Sequence, residues 1–374
     1  MKILVTGGAG FIGSWLAEEL LVHNHQLVVV DNLSAQIHGA IPRLDLSWVA
    51  HPNVEFVRAD VRDRHVLDAC LAKVDAVVHL AAETGTGQSM YQIAHYYDVN
   101  QQATAMLFEL IGTCHKHVKR VVLASSRSIY GEGAYRLRDQ VVVPAPRSAE
   151  AMKTGDFDVY GPNGETLELI ATPESATAQP ASVYAATKLA NETLGRVFAD
   201  AYGTAVVALR FQNVFGERQS LKNPYTGILS IFSNRMRKNL PINIFEDGQE
   251  SRDFVHVSDI VRSVRLALEQ EMRGFHVLNV GSGIPTSVMQ VAEMLRKELG
   301  SRSELTVTGN FRVGDIRHCY ADLTMAEKVL GFQPKVNVDE GIARFCGWVM
   351  TQPVMEDKSA QAMAELAKLG LGNG

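Results

Sequence analysis

The sequence predicts an α/β fold, a doubly wound parallel sheet with a smaller α/β lobe attached. Short β-branched runs alternate with amphipathic stretches over roughly the first 210 residues, the signature of strand-helix-strand units. That rhythm stops after residue 212, where loops and short helices take over. The chain has 374 residues, more than one hydrophobic core of about 250–300 residues organises, so two lobes are expected.

In order, residues 2–6 (KILVT) and 26–30 (QLVVV) read as strands, joined by a helix from Phe11 to Val22 with apolar residues at helical spacing. The pattern continues with a strand at 54–57, a helix at 64–72, a strand at 74–80, a helix near 93–117 and a strand at 120–124. A helix near 182–201 then leads to a strand at 205–210. Residues 131–180 break the rhythm with Pro, Gly and charged residues, an insertion that reads equally as a cover over a site or as passive decoration. Beyond 212, strands are expected at 241–245, 254–257, 276–280 and 305–308, with 276–280 returning to the main sheet. Helices beyond 323 are assigned to the second lobe. The first domain is thus 1–212 completed by about 254–282, the second is 213–253 with 283–350, and 351–374 is a peripheral tail.

Composition narrows the function. Apolar residues make up 46% and charged residues 21%, an ordinary globular balance. The formal net charge is −5, and the basic residues form no stripe that would follow a phosphate backbone, which argues against nucleic acid as a partner. No apolar run approaches the roughly 20 residues needed to cross a bilayer, and the first residues lack a leader pattern, so a cytoplasmic protein is expected. Cys70, Cys114, Cys319 and Cys346 form no C-x-x-C pair, so free thiols and no metal site are expected.

Gly7, Gly10 and Gly13 follow the first strand and open the first helix. Missing side chains there permit a tight turn and a close approach of pyrophosphate to backbone N–H groups. Asp31 ends the second strand, where a carboxylate can accept the hydroxyls of an adenine ribose and repel a 2′-phosphate, favouring NAD over NADP. Asp60 and Val61 follow the third strand, in position to meet the adenine edge.

Tyr184 and Lys188 lie four residues apart at the start of a helix, which places phenol and ammonium on one face. A free tyrosine is a poor base at neutral pH, whereas a neighbouring ammonium and a cationic nicotinamide stabilise its phenolate. Ser126 stands at the C-terminal end of the apolar run Val121–Ala124, where open sheets bind substrates, and its hydroxyl can polarise a reacting carbonyl.

Taken together, TGGAGFIG at the start, Asp31, Asp60-Val61, the LAA run at 80–82, Asn100, SSRSIYG at 125–131 and Tyr184 with Lys188 resemble the extended short-chain dehydrogenase/reductases that act on nucleotide sugars. The resemblance runs from residue 1 to about 350, the insertion excepted, and implies a Rossmann-type sheet with a substrate-binding lobe. It implies a Ser126, Tyr184, Lys188 triad, with Lys188 also on the nicotinamide ribose. It extends the NAD contacts to Phe11, Ile12, Asn32, Leu80, Ala81, Ala82 and Asn100. It also marks Asn213, Arg252 and Arg312 as ligands of a nucleotide diphosphate, a role that suits the fixed fork of arginine. It also implies a homodimer paired through the helices near 93–117 and 182–201, whose apolar faces read equally as internal core.

Dehydratases of this family resemble TDEVYG at the strand end, where this chain reads Ser126-Arg127-Ser128-Ile129-Tyr130. Without those carboxylates the resemblance implies epimerisation at C4 of a nucleotide-bound sugar through a transient 4-keto sugar. Within the family, Leu209 to Val261 and the long insertion most resemble dTDP-L-rhamnose 4-epimerases, which interconvert dTDP-L-rhamnose and dTDP-6-deoxy-L-talose. UDP-hexose 4-epimerases share the same catalytic parts. A 4-ketoreductase or dehydrogenase, which would turn over external NAD(P)H, and a non-catalytic NAD sensor are the competing classes.

Overall fold

The computed structural model describes residues 1–39, 46–221, 227–312 and 315–354. Seven parallel strands form the main sheet, in the spatial order Phe275–Val280, Ala205–Phe211, Arg120–Ser126, Ala76–His79, Lys2–Thr6, Gln26–Asp31 and Val54–Arg58. From Lys2–Thr6 the chain winds outward to Val54–Arg58, then returns to build the sheet on the other side. The order therefore reverses between Lys2–Thr6 and Ala76–His79, the place where such sheets leave a crevice at their C-terminal edge.

Strand side chains alternate between two apolar layers, as a period of two requires. Ile3, Val5 and Val29 pack beneath Leu16 and Leu20 of Phe11–Val22 and Ile260 and Val264 of Val257–Glu269. Leu4, Val28 and Val30 face the opposite layer, with Leu67, Leu107, Ile111 and Phe198 from the helices Arg64–Leu71, Ala103–Thr113 and Val183–Tyr202. Helix limits follow local chemistry. Ser182 caps Val183–Tyr202 by accepting from Ala185 N at 3.1 Å, and Gly203, at φ 70°, ends it in the left-handed region.

Three sequence expectations are corrected. The single helix near 93–117 is divided into Ile93–Tyr96, a π-helical stretch Tyr97–Gln102 and Ala103–Thr113. Asn100 sits in the π stretch, its side chain bonded across to Glu83 and Thr187. The strand expected at 254–257 runs from Ser251 to His256, because the His256 side chain accepts from Ser258 N and starts the next helix at Val257. Not every helix beyond 323 joins the second lobe: Thr324–Leu330 places Ala326 and Leu330, followed by Phe332, in the core of the main sheet.

The second lobe gathers Asn213–Phe215, Ser251–His256, Pro285–Ser287 and His318–Cys319 in one small sheet, and Ile242–Ile244 with Leu305–Val307 in another. Its core is Phe215, Phe254, Ile242, Leu295, Ile342 and Phe345. The 131–180 insertion carries a three-stranded antiparallel sheet of Tyr135–Leu137, Gln140–Val142 and Glu168–Leu169, and the helix Ala149–Lys153. It is tied to the second lobe by Gly133 N to His318 O at 2.8 Å, by Thr172 N to Tyr320 O at 2.8 Å, and by an ion pair of Arg147 with Glu246 in which both side chains are 4% exposed. Residues 355–374 of the expected tail lie outside the described residues. Among the described residues no helix is long and apolar enough to cross a membrane.

Candidate active site

The crevice at the order reversal collects the predicted cofactor residues. Gly7 has φ 70°, and a Cβ on it would stand 2.7 Å from Ala81 N, so the turn packs directly on the Leu80-Ala81-Ala82 segment. That segment is held by Leu80 N to Thr6 O and Ala81 N to the Thr6 hydroxyl. A Cβ on Gly13 would meet Gly7 O at 2.4 Å and Gly8 Cα at 2.5 Å. Gly10 differs, because its added Cβ would meet nothing closer than Gly7 O at 3.3 Å. The protein's own packing thus demands glycine at 7 and 13, while the bare backbone at Gly10 leaves room for a ligand. Gly10 also caps the helix without a side-chain bond, no acid stands in the first turn, and Phe11 and Ile12 begin the helix packed on the main core. These uncapped N–H groups suit a pyrophosphate.

Asp31 is buried, accepting from Ala9 N at 3.0 Å and from Leu33 N at 2.8 Å, which leaves lone pairs on both oxygens for ribose hydroxyls. These features fit NAD. Asp60 is less open than the sequence suggests. Its carboxylate accepts four hydrogen bonds, three from Arg62 and one from Asn32, and the Arg62 contacts hold it far below the usual carboxylate range. An adenine amine must share or displace one of these, and buried Val61 lies beside the pair. Asn100 lies deeper: it is 1% exposed, and its amide is spent on Glu83 N, Glu83 O and Thr187 Oγ1, so it braces the segment after the fourth strand.

One prediction separates these glycines. Gly10→Ala folds with a thermal midpoint near that of the parent but loses about tenfold or more in NAD affinity, since its methyl occupies the ligand's side of the turn. Gly13→Ala loses stability as well, because its methyl collides with backbone. Thermal melts and NAD titration of the two variants check this.

At the sheet's C-terminal edge the Ser126 hydroxyl stands near enough to the Tyr184 phenol to favour its deprotonated form. Ser126 Oγ also accepts from Ser128 N at 3.1 Å, capping the turn Arg127–Tyr130. The Tyr184 backbone is fixed by its N–H to Ser89 Oγ at 3.1 Å. Lys188 lies on the same helix face as expected, with Nζ 5.7 Å from the centre of the Tyr184 ring and donating to Ala124 O at 2.8 Å. Burial lowers it to about 8. Burial pushes the Tyr184 phenol above its ordinary range, opposed by the Ser126 hydroxyl and the Arg127 charge.

On the second-lobe side, Asn213 Oδ1 accepts from Arg127 Nε at 3.1 Å. Arg252 is buried and largely committed, donating to the carbonyls of Ser251, Ile316 and Arg317 and to Asp315 Oδ1 at 3.1 Å. Arg312 is exposed, its guanidinium 4.8 Å over the Phe245 ring. Burial would raise the Asp315 carboxyl, yet Arg252, Arg312 and Arg127 together hold it below its ordinary range. The three guanidinium groups therefore act on one anionic point.

Sequence reasoning missed a buried network under this edge. Arg210 grips Glu192 with two hydrogen bonds, at 3.0 and 2.8 Å, and reaches the Tyr130 hydroxyl at 2.7 Å, which in turn donates to Asn279 Oδ1 at 2.7 Å. Ser125 Oγ donates to Glu192 as well. Glu192 follows Lys188 by one helical turn, the only sequence signal of its inward position.

Fold and site define a class: a dinucleotide-binding α/β enzyme whose cofactor is NAD. The chain belongs to the NAD dependent epimerase/dehydratase family, which matches residues 3–149 and 157–281. It is similar to dTDP-L-rhamnose 4-epimerase of Burkholderia thailandensis, 37% identical over 351 residues, covering 93% of this chain and 94% of the relative. Among solved structures it resembles UDP-glucuronic acid 4-epimerase of Bacillus cereus in complex with UDP-glucuronic acid and NAD, with a TM-score of 0.76 and 27% identity over 94% of this chain and 99% of that one. It also resembles UDP-glucose 4-epimerase of Thermotoga maritima with UDP-glucose, with a TM-score of 0.75 and 27% identity over the same shares.

Proposed function

We propose that this chain is an NAD-dependent 4-epimerase of a nucleotide-diphosphate sugar, with dTDP-L-rhamnose and dTDP-6-deoxy-L-talose as the pair it interconverts. The observation that carries the reading is Tyr184 with Lys188 Nζ 5.7 Å from its ring centre, beside the strand end Ser126, which is followed by Arg127 and Ser128 where a dehydratase of this family carries carboxylates. The nearest acid along the chain, Glu132, is turned away and accepts from the backbone N–H groups of Arg317 and His318. Elimination of water needs a placed acid and base; epimerisation needs a single group that takes and returns one proton.

When bound, NAD accepts and returns the C4 hydride. Tyr184 takes the proton of the C4 hydroxyl and Ser126 donates a hydrogen bond to the carbonyl that forms. Lys188 orients the nicotinamide ribose. Asn213, Arg252 and Arg312 hold the diphosphate from the second lobe, leaving the sugar ring free to turn its other face to the cofactor. The same Tyr184 proton is then restored to the inverted alcohol. The dTDP-L-rhamnose assignment is supported by the 37% relative and by the stretch from Leu209 to Val261, of which residues 222–226 lie outside the described structure.

The test incubates the purified protein with dTDP-L-rhamnose and a panel of UDP-hexoses and follows C4 configuration by NMR. A new C4 epimer forms with dTDP-L-rhamnose, and absorbance of reduced nicotinamide does not change in the steady state. Steady consumption of added NAD(P)H would mark a reductase instead. Conversion of a UDP-hexose alone would keep the epimerase and discard the rhamnose assignment.

A further inference from the structure

We propose that the 131–180 insertion is a brace for the nucleotide end of the substrate site, with Arg147 and Phe157 as its positioning residues. This rests on the reading of Arg312 as a ligand of the nucleotide diphosphate. Two stretches of the second lobe carry that end, one with Phe245 and Glu246, the other with Phe311, Arg312, Asp315 and Arg317. They are joined by Glu246 N to Asn310 O at 2.8 Å and Gly309 N to Glu246 O at 3.2 Å, and the Arg312 guanidinium lies 4.8 Å over the Phe245 ring.

The insertion grips both stretches at once. Arg147 donates to the Glu246 carboxylate at 2.7 and 2.8 Å and to Asp315 O at 2.9 Å, while a bond to Phe157 O at 3.1 Å ties it back to the insertion. Glu246 also accepts from Arg317 at 3.2 Å, so two arginines share one buried carboxylate. Phe157 and Met152 of the insertion form a buried cluster with Phe311, the residue directly before Arg312. Glu132, near the start of the insertion, accepts from Arg317 N at 2.8 Å and His318 N at 2.7 Å. Arg252 holds the same strip of chain, donating to Asp315 Oδ1 and to the carbonyls of Ile316 and Arg317.

Arg312 itself is exposed, yet the residue before it is packed by Phe157 and Asp315 is bonded by Arg147. A long side chain gives up conformational freedom when it grips a phosphate, and a backbone already held in place lowers that cost. A buried ion pair alone is weak grounds for stability, because apolar residues of similar volume fill the space as well. What the Arg147 fork adds is direction, since its bonds to one carboxylate and two carbonyls fix three chain segments relative to one another.

The experiment is a calorimetric titration of the NAD-loaded protein with dTDP and with UDP, on the parent, Arg147→Met, Arg147→Lys and Phe157→Ala. Each protein is also melted and its NAD content measured. Arg147→Met and Phe157→Ala weaken binding of the nucleotide the parent takes by about tenfold, the loss when one charge-assisted hydrogen bond to phosphate is misplaced, and leave NAD content unchanged. Arg147→Lys weakens it nearly as far, because an ammonium keeps the charge but cannot span the carboxylate and both carbonyls. Where nucleotide sugar is turned over, KM rises by the same factor and kcat stays within about twofold, since Tyr184 and Lys188 are anchored through Ser89 and Ala124. Parental affinity in Arg147→Met and Phe157→Ala overturns the proposal. So does a loss of NAD in step with nucleotide, or a kcat that falls while KM holds, either of which marks general support of the fold. Parental affinity in Arg147→Lys also overturns it, leaving Arg147 as a source of charge only. If Arg147→Met does not fold, Arg147→Lys and Phe157→Ala carry the same comparison. A parent that binds neither dTDP nor UDP sinks the nucleotide-sugar reading and the brace with it, whereas a parent that binds one of them but epimerises no sugar sinks the epimerase reading alone.

Discussion

Tyr184→Phe is expected to lower kcat for C4 epimerisation by about 10²–10⁴-fold, the usual contribution of a placed general base, while NAD content and thermal stability stay near those of the parent. The substitution removes one oxygen and keeps the ring. Burial raises this phenol while the Ser126 hydroxyl and the Arg127 charge lower it, and its loss removes the proposed proton acceptor without disturbing the helix that carries it. The helix is anchored independently, through the Ser182 cap and Tyr184 N to Ser89 Oγ. NMR rates, together with the nicotinamide released on denaturation, check both halves. A rate within tenfold of the parent would remove Tyr184 from the chemistry and revive a sensing role for the bound dinucleotide.

Most of the sheet is legible in the sequence because its strands are apolar on both faces. The expected strand at 26–30 and the observed Gln26–Asp31 differ by one residue, and the helix Phe11–Val22 is matched at both ends. Tyr184 and Lys188 are legible because four residues on a helix make one face. Illegible were features set by partners distant in sequence. Asn100 has the composition of a ligand-facing residue, yet Thr187, 87 positions away, and the backbone of Glu83 consume its amide. Arg252 and Asp60 are similar: the chain identifies the residue type but not the carbonyls or guanidinium that already occupy it. The helix Thr324–Leu330 was misplaced because amphipathic spacing identifies an apolar face without saying which core receives it. Arg127 reads in the sequence only as the absence of a dehydratase acid, and its bond to Asn213, 86 positions away, is again set by a distant partner.

The second large effect concerns the ion pair under the site. Arg210→Met is expected to destabilise the protein by about 3–5 kcal/mol, the cost of leaving one charge of a buried pair without its partner. Glu192 is 5% exposed and would retain only the Ser125 hydroxyl for its carboxylate, while the Tyr130 hydroxyl and Glu174 O would each lose an Arg210 donor. Removing both charges is the discriminating case. Arg210→Met combined with Glu192→Leu fills similar volume with apolar atoms and recovers much of the loss, so the double-mutant cycle gives a large coupling energy, read from denaturant midpoints. The catalytic readout separates differently. Glu192 is one turn from Lys188, Ser125 adjoins Ser126, and Tyr130 closes the turn that Arg127 opens, so the network fixes the strand end, the turn and the helix relative to one another. The double variant should therefore regain stability without regaining kcat, because apolar packing can fill the space but cannot restore the directional bonds that hold Ser126, Arg127 and Tyr184 in register. Full recovery of kcat along with stability would show that the pair serves the fold alone.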